Sequence, residues 1–104
     1  MNADIKKRWV KALRSGRYAQ ARHALRTDQG FCCLGVLCDI VKKDVKKSWQ
    51  EGASEMGMDG YKEYLPPVIA KFVGLHRSSQ AFLATKNDDG RSFGEIADLI
   101  DQRY

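Results

Sequence analysis

Three cysteines within a few positions of one another, Cys32, Cys33 and Cys38, are the residues of this chain most suggestive of chemistry. Clustered thiols are typical of metal sites, but a structural zinc site needs four cysteine or histidine ligands, usually as two spaced pairs. Only His23 and His76 could complete the set, and adjacent cysteines point to opposite sides of a strand. We therefore expect no metal and assign the thiols to the core, because free cysteine packs as a small hydrophobe.

Nucleophilic catalysis by one of these thiols is also not indicated. A reactive cysteine needs an electropositive, partly exposed setting and usually a histidine base, and no local signature links either histidine to a particular thiol. The glycine-rich segment 57–60 lacks the lysine and the Ser/Thr of a phosphate-binding loop. We predict that the protein is not an enzyme and has no cofactor, and that its thiols resist alkylation until the protein unfolds.

Anion binding is the chemistry that the composition favours. Residues 1–50 carry 12 Lys/Arg against 4 Asp/Glu, a net charge of +8, whereas residues 51–104 carry 6 against 9, a net charge of −3. Arginine forks pair well with phosphate oxygens, and aromatic and amide side chains read nucleobases. The predicted ligand- or anion-binding residues are Arg14, Arg17, Arg22, Arg26, Phe82 and Asn87, with Tyr18 as a further stacking candidate. The alternative is that Phe82 is core, Asn87 holds a turn and the arginines only solubilise the protein.

Exposed aromatic residues suggest a second kind of contact. Trp49, Tyr61 and Tyr64 lie in or beside segment 48–60, which is rich in glycine, has no clear period and is predicted to be a loop with Trp49 anchoring one end. Tyrosine and tryptophan are enriched among the residues that dominate protein interfaces. These three residues are therefore predicted to contact a protein partner, and they make a homodimer plausible.

The first half of the chain contains two helical patterns and one turn signal. Residues 4–14 place Ile5, Trp9, Ala12 and Leu13 on one face of a helix that Asn2 or Asp4 could cap. Segments 21–26 and 31–33 are predicted to form a short hairpin around the turn at 27–30. A buried helix follows from residue 34, with apolar residues spaced by three and four up to residue 41.

The second half contains two further helical patterns. Pro66 and Pro67 before an apolar run, with Gly74 after it, predict a helix over 66–73. Residues 81–85 are predicted to be a strand closed by a turn at 87–90. Ser92 and Glu95 have the spacing of a capping box, which predicts a helix over 93–102.

Together these patterns predict one α+β domain spanning residues 1–104, compact and mostly helical, with three to four helices and one or two short β-hairpins. The 43% apolar and 30% charged content is that of a globular protein. No apolar run approaches the roughly 20 residues that span a bilayer. The N-terminus lacks the pattern of a secretory signal, so we expect no membrane contact and a cytoplasmic location.

Four segments resemble a group of small proteins encoded by bacteriophages and prophages: Trp9–Gly16, Phe31–Asp39, Tyr64–Pro66 and Asn87–Asp98. The second and fourth, FCCLGVLCD and NDDGRSFGEIAD, carry most of the resemblance. It implies a phage origin and a location in the host cytoplasm during infection, but no catalytic residues. By analogy of size and origin, it is compatible with a host-immunity inhibitor.

Two functions from different classes follow as hypotheses. The first is a non-catalytic anti-defence protein that either sequesters a nucleotide immune signal or occludes a CRISPR-type effector, so that its partner is a nucleotide or a host defence complex. The second is a small nucleic-acid-binding phage regulator. The spread of basic residues over several elements, rather than along one recognition helix, disfavours the second.

Overall fold

A computed structural model describes residues 1–52 and 54–104, which form an α+β fold of five helices and one three-stranded antiparallel sheet. The helices are α1 (Ala3–Arg14), α2 (Cys33–Val41), α3 (Pro67–Val73), α4 (Arg77–Asp88) and α5 (Phe93–Arg103). The strands are β1 (Arg26–Thr27), β2 (Gly30–Phe31) and β3 (Glu55–Met56), with β1 in the centre. The fold class is thus the predicted one, with one helix more than expected.

Helix α1 confirms the first helical pattern. The side chain of Asn2 caps it, because its Oδ1 accepts a hydrogen bond from the Ile5 amide at 3.0 Å. Its apolar side packs against α5 and α2. The fully buried Trp9 donates its indole N–H to the Cys33 carbonyl at 2.9 Å, which satisfies the one polar atom of that side chain.

The hairpin is also confirmed, in a shorter form. Strands β1 and β2 are antiparallel, with Arg26 opposite Phe31. The prediction of a loop over residues 48–60, of which residue 53 lies outside the described residues, was wrong in part. Strand β3 pairs with β1 and places Met56 opposite Arg26. A strand of two residues is too short to show an alternating pattern, so the sequence carried no signal for it.

Helix α2 is the centre of the core. All residues from Cys33 to Cys38 are buried, and the preceding Cys32 is 4% exposed, which confirms that the three thiols belong to the core. Gly35 allows the helix to approach the hairpin: a Cβ there would lie 1.7 Å from the Leu25 carbonyl oxygen. Any side chain at residue 35 would therefore force the two elements apart.

Both helices predicted for the second half of the chain are confirmed. Helix α3 spans Pro67–Val73 and is capped by Gly74, which adopts the left-handed φ of 74° that glycine tolerates. In α5 both hydrogen bonds of the capping box are present, between the side chains of Ser92 and Glu95 and each other's backbone amides. Within the described residues, no helix has the length and apolar content needed to cross a membrane.

The predicted strand at residues 81–85 was wrong, because these residues lie in the middle of α4. The buried residues of α4 are Gln80, Leu83 and Asn87, spaced by three and four as on one face of a helix. Two of these three positions are amides, so a search for apolar periodicity does not detect the helix. The helix therefore buries two polar side chains beside Leu83, and hydrogen bonds stabilise these two in the core.

Asn87 is fully buried, and both ends of its amide are engaged. Its Oδ1 accepts hydrogen bonds from the Gln20 side chain at 3.0 Å and from the Cys33 amide at 3.2 Å. Its Nδ2 donates to the Ala21 carbonyl at 2.9 Å and to the Asp88 carboxylate at 3.3 Å. The side chain therefore ties α4 to the start of α2 and to the segment before the hairpin.

We predict that Asn87→Ala lowers the free energy of unfolding by about 2–4 kcal/mol, because it leaves the buried Cys33 amide and the Ala21 carbonyl without partners. Urea denaturation of both proteins measures the difference. Thr85→Ala, an exposed substitution in the same helix, is the control and should change stability by less than about 0.5 kcal/mol. Equal effects of the two substitutions would contradict this role of the amide.

Candidate anion-binding groove

A groove of about 580 Å³ runs between α1 and the carboxyl end of α2. Three cationic side chains line it, Arg8 and Lys11 from α1 and Arg17 from the turn that follows, together with Tyr18 and Ile40. Among the described residues that line this groove, none is acidic. Three positive charges around one concave surface produce a local field that attracts anions.

Arg8 is held in place at the wall of the groove. One guanidinium nitrogen donates to the Ile40 carbonyl at 2.6 Å and lies 3.3 Å from a carboxylate oxygen of Asp44. Ile40 lies in the last turn of α2, where unpaired carbonyl groups carry partial negative charge and favour a cation. This arrangement fixes the position of one cation and leaves part of its fork of N–H groups for a ligand.

Lys11 and Arg17 differ from Arg8 in having no such tether. Both are exposed, and neither forms an ion pair with any residue that the structure describes. The position of Arg17 follows from the end of α1, where the Ser15 hydroxyl accepts a hydrogen bond from the Arg17 amide at 3.1 Å. These two cations are the ones in the groove that an anion can recruit without breaking an existing ion pair.

Behind Tyr18, a network centred on Asp39 stabilises the groove. The Asp39 carboxylate accepts hydrogen bonds from the Tyr18 hydroxyl at 2.6 Å, from the Trp49 indole at 2.9 Å and from Lys42 at 2.5 Å. The rings of Tyr18 and Trp49 both contact Phe31 edge-on, with centroid distances of 5.0 and 5.9 Å. The tyrosine is therefore fixed both by its hydroxyl and by its ring.

The network also determines the charge states of its members. Partial burial alone would raise the pKa of Asp39, but the hydrogen bonds from Lys42, Tyr18 and Trp49 outweigh it and lower that pKa below the ordinary value of 3.8. Burial, together with the hydrogen bond to Asp39, raises the pKa of Tyr18 to about 12. At neutral pH the tyrosine is thus a neutral donor and Asp39 a charged acceptor.

The structure does not bring the six predicted anion-binding residues into one pocket. Arg17 lies in the groove, but Arg14 pairs with Asp98 and Asp101 on α5, at 2.6 and 3.4 Å. Arg22 lies in a separate depression whose lining includes Asp28 and Glu55.

The other three residues have structural contacts of their own. Arg26 stacks over Phe31 and Trp49, at 4.8 and 5.5 Å from the ring centroids. Phe82 is half-buried on α4, with the Arg103 guanidinium 4.3 Å from its ring centroid. Asn87 has no hydrogen-bonding group left for a ligand, because its amide is fully engaged inside the protein.

The three predicted protein-contact residues divide into two groups. Trp49 is half-buried against Phe31 and anchors its segment, as expected. Tyr61 is 43% exposed and shares a depression of about 380 Å³ with Tyr64 and Arg77. The Arg77 guanidinium stacks 3.8 Å from the Tyr64 ring centroid, so two aromatic side chains and a cation form one surface.

Two groove residues, Arg8 and Lys11, were missing from the sequence prediction. Because they are three residues apart, they lie side by side on α1, and the sequence pattern could have predicted that they form a pair. The approach of Ile40 to Arg8 depends on the packing of α1 against α2, which no local pattern reveals.

The described residues contain no group of three or more His, Cys, Asp or Glu side chains placed to hold a metal ion.

The chain matches the model of a known protein family. Residues 1–82 match the family described as a domain of unknown function, DUF8296. The chain belongs to this family. All the groove residues lie within the matched range, as do the Asp39 network and the depression around Tyr64. No curated protein and no solved structure matches the chain.

We predict that Asp39→Asn lowers the free energy of unfolding by about 1–3 kcal/mol at pH 7, because the partly buried charged acceptor of three hydrogen bonds is lost. Since folding lowers the pKa of Asp39, its contribution is complete above the ordinary value of 3.8 and is lost as the pH falls through the lower folded value. The difference between the two proteins should therefore shrink below about pH 4.

Urea denaturation of both proteins between pH 3 and pH 7 measures this difference. Asp44→Asn is the matched control, because it removes an exposed carboxylate that pairs with Arg8 and should cost less than about 1 kcal/mol. A stability difference for Asp39→Asn that stays constant over the whole pH range would contradict the assigned role of its charge.

Proposed function

We propose that this protein is a non-catalytic phage anti-defence factor that acts by binding a phosphate-bearing ligand in the groove of Arg8, Lys11 and Arg17. The observation that carries the proposal is a concave surface with three cationic side chains and no acidic residue among its described lining. The resemblance of Phe31–Asp39 and Asn87–Asp98 to phage and prophage proteins supports a role in infection, in the host cytoplasm.

The size and lining of the groove favour a nucleotide over a bare inorganic ion. Its volume of about 580 Å³ falls within the range of roughly 300–1,000 Å³ of small-molecule sites. Arginine and lysine supply the donors for phosphate oxygens, and Tyr18 supplies an aromatic ring beside them. A ligand with several phosphate charges and a base uses all of these features, whereas a single phosphate uses only the cations.

A second way of acting, occlusion of a host effector complex, is favoured by a separate observation. Tyr61, Tyr64 and Arg77 share one depression, and tyrosine and arginine are the residue types that most often dominate protein interfaces. This surface would contact protein rather than nucleotide. The two candidates use different residues and can therefore be tested separately.

Isothermal titration calorimetry with cyclic mono- and dinucleotides tests the nucleotide proposal. We expect binding that weakens as salt is raised from 50 to 200 mM (about a fourfold range of ionic strength), because anions of the buffer compete for the same cations. Arg17→Ala and Lys11→Ala should each weaken binding by about tenfold, the usual effect of removing a charged hydrogen-bond partner.

Lys71→Ala is the matched control, since Lys71 is exposed on α3, lies outside the groove lining and carries the same charge. Equal weakening by Lys71→Ala would indicate a non-specific effect of net charge. No heat with any nucleotide would exclude the nucleotide-sequestration role. Tight binding of duplex DNA in a gel shift at low salt, lost in the same groove variants, would instead favour the nucleic-acid-binding regulator.

A further inference from the structure

A second, smaller cavity shares no lining residue with the basic groove. It has a volume of about 120 Å³ and lies between the segment before β1, the start of α2 and α4. Its lining brings together four side chains that can exchange protons or react: His23, Cys32, Glu63 and Asp88. No local sequence pattern links this histidine to this thiol, because the two residues come to line one cavity only in the folded protein.

Cys32 differs from the other two cysteines in its access to this cavity. Cys33 and Cys38 are completely buried, whereas Cys32 is 4% exposed and lines the cavity wall. It is also the N-cap residue of α2, where its sulfur accepts a hydrogen bond from the Gly35 amide at 3.4 Å. The sulfur therefore has a fixed position at the positive end of a helix, facing a space that a small molecule could enter.

Asp88 contacts both the backbone and the exposed ring of His23 at the cavity. The His23 amide donates to one Asp88 oxygen at 2.9 Å, and the ring Nδ1 lies 3.5 Å from the other. His23 adopts a left-handed φ of 70°, a conformation that is uncommon outside glycine and is found at functional sites. Because Asp88 occupies the Nδ1 side, Nε2 is the nitrogen left to accept a proton from another group.

The protonation state of the Cys32 thiol determines what a base such as His23 must do in a reaction. Burial raises the pKa of Cys32 to about 11, and the negative charge of Asp88 adds to this effect, although the Gly35 amide opposes it. At neutral pH the sulfur is therefore protonated and unreactive by itself, because the thiolate is the nucleophile. Reaction at this site requires a neighbouring group that removes the proton as the new bond forms.

We infer that Cys32 is a covalent modification site for small, uncharged carbon electrophiles, with His23 as the proton acceptor. In the reaction with a haloacetamide, Sγ attacks the carbon, an S–C bond forms, and the carbon–halogen bond breaks to release halide. The thiol proton passes to Nε2 of His23 and then to water. No oxidant or reductant is needed.

The charge of the lining determines which electrophiles the cavity admits. Glu63 and Asp88 both contribute to its wall, and His23 and Tyr64 complete the polar part. Two carboxylates disfavour the entry of an anion, whereas a neutral molecule of the same shape meets no such barrier. The site should therefore discriminate between reagents of equal size by their charge.

Labelling with iodoacetamide and iodoacetate, followed by peptide mass spectrometry, tests the inference on the folded full-length protein. In place of the resistance predicted from the sequence for all three thiols, we expect iodoacetamide to label Cys32 in the folded protein, because this residue lines the cavity. Cys33 and Cys38 should stay unmodified until denaturant is added. Relative to a free cysteine derivative, the ratio of iodoacetamide to iodoacetate reactivity should rise on the order of tenfold, because of the two carboxylates.

His23→Asn is the variant for the role of the base, because asparagine tolerates a positive φ but cannot take the proton. It should slow labelling of Cys32 on the order of tenfold or more, with an unchanged circular dichroism spectrum. Equal protection of all three thiols in the wild type would overturn the site. Unchanged labelling in a folded His23→Asn variant would overturn the role of His23, and an unshifted reagent ratio would overturn the charge selectivity.

Discussion

The buried amide of Asn87 is the interaction on which most of this structure depends. It joins three segments that are distant in sequence: α4, the start of α2 and the strand-like segment before the hairpin. A buried amide is stable only if both its donors and its acceptor are used, so its four hydrogen bonds permit essentially one arrangement of these segments. The neighbouring Asp88 is positioned by the same helix, and this is how the His23 ring comes to lie beside the Cys32 cavity.

Helix α2 connects the two candidate sites. Its N-cap residue, Cys32, lines the small cavity, and Ile40 in its last turn lines the basic groove. Between them, the helix is buried and lies against the backbone of Leu25, an approach that only glycine at residue 35 allows. A helix that is buried along most of its length is a suitable support for two sites at its ends, because core packing sets its position.

The sequence predicted four of the five helices because their apolar residues recur with helical spacing and their ends carry recognisable caps, as in α5 with Ser92 and Glu95. It missed α4 because amides replace apolar side chains at Gln80 and Asn87, and it missed β3 because two residues show no period. The charge of the first half of the chain predicted an anion-binding site, and Arg17 was among the predicted residues. Arg8 was not predicted to bind the anion, because its partner Ile40 belongs to a different helix and only tertiary packing brings the two together.

The way in which Arg8 is held bears on how an anion could bind. Ordering a long, flexible side chain costs up to about 2 kcal/mol of conformational entropy, and this cost normally reduces affinity. The Ile40 carbonyl and Asp44 already order Arg8 before any ligand arrives, so one cation of the groove is preorganised. Lys11 and Arg17 remain untethered and can adjust to the ligand. One fixed cation with two adaptable neighbours suits a ligand that carries several phosphate oxygens, because the fixed guanidinium sets the position and the others follow.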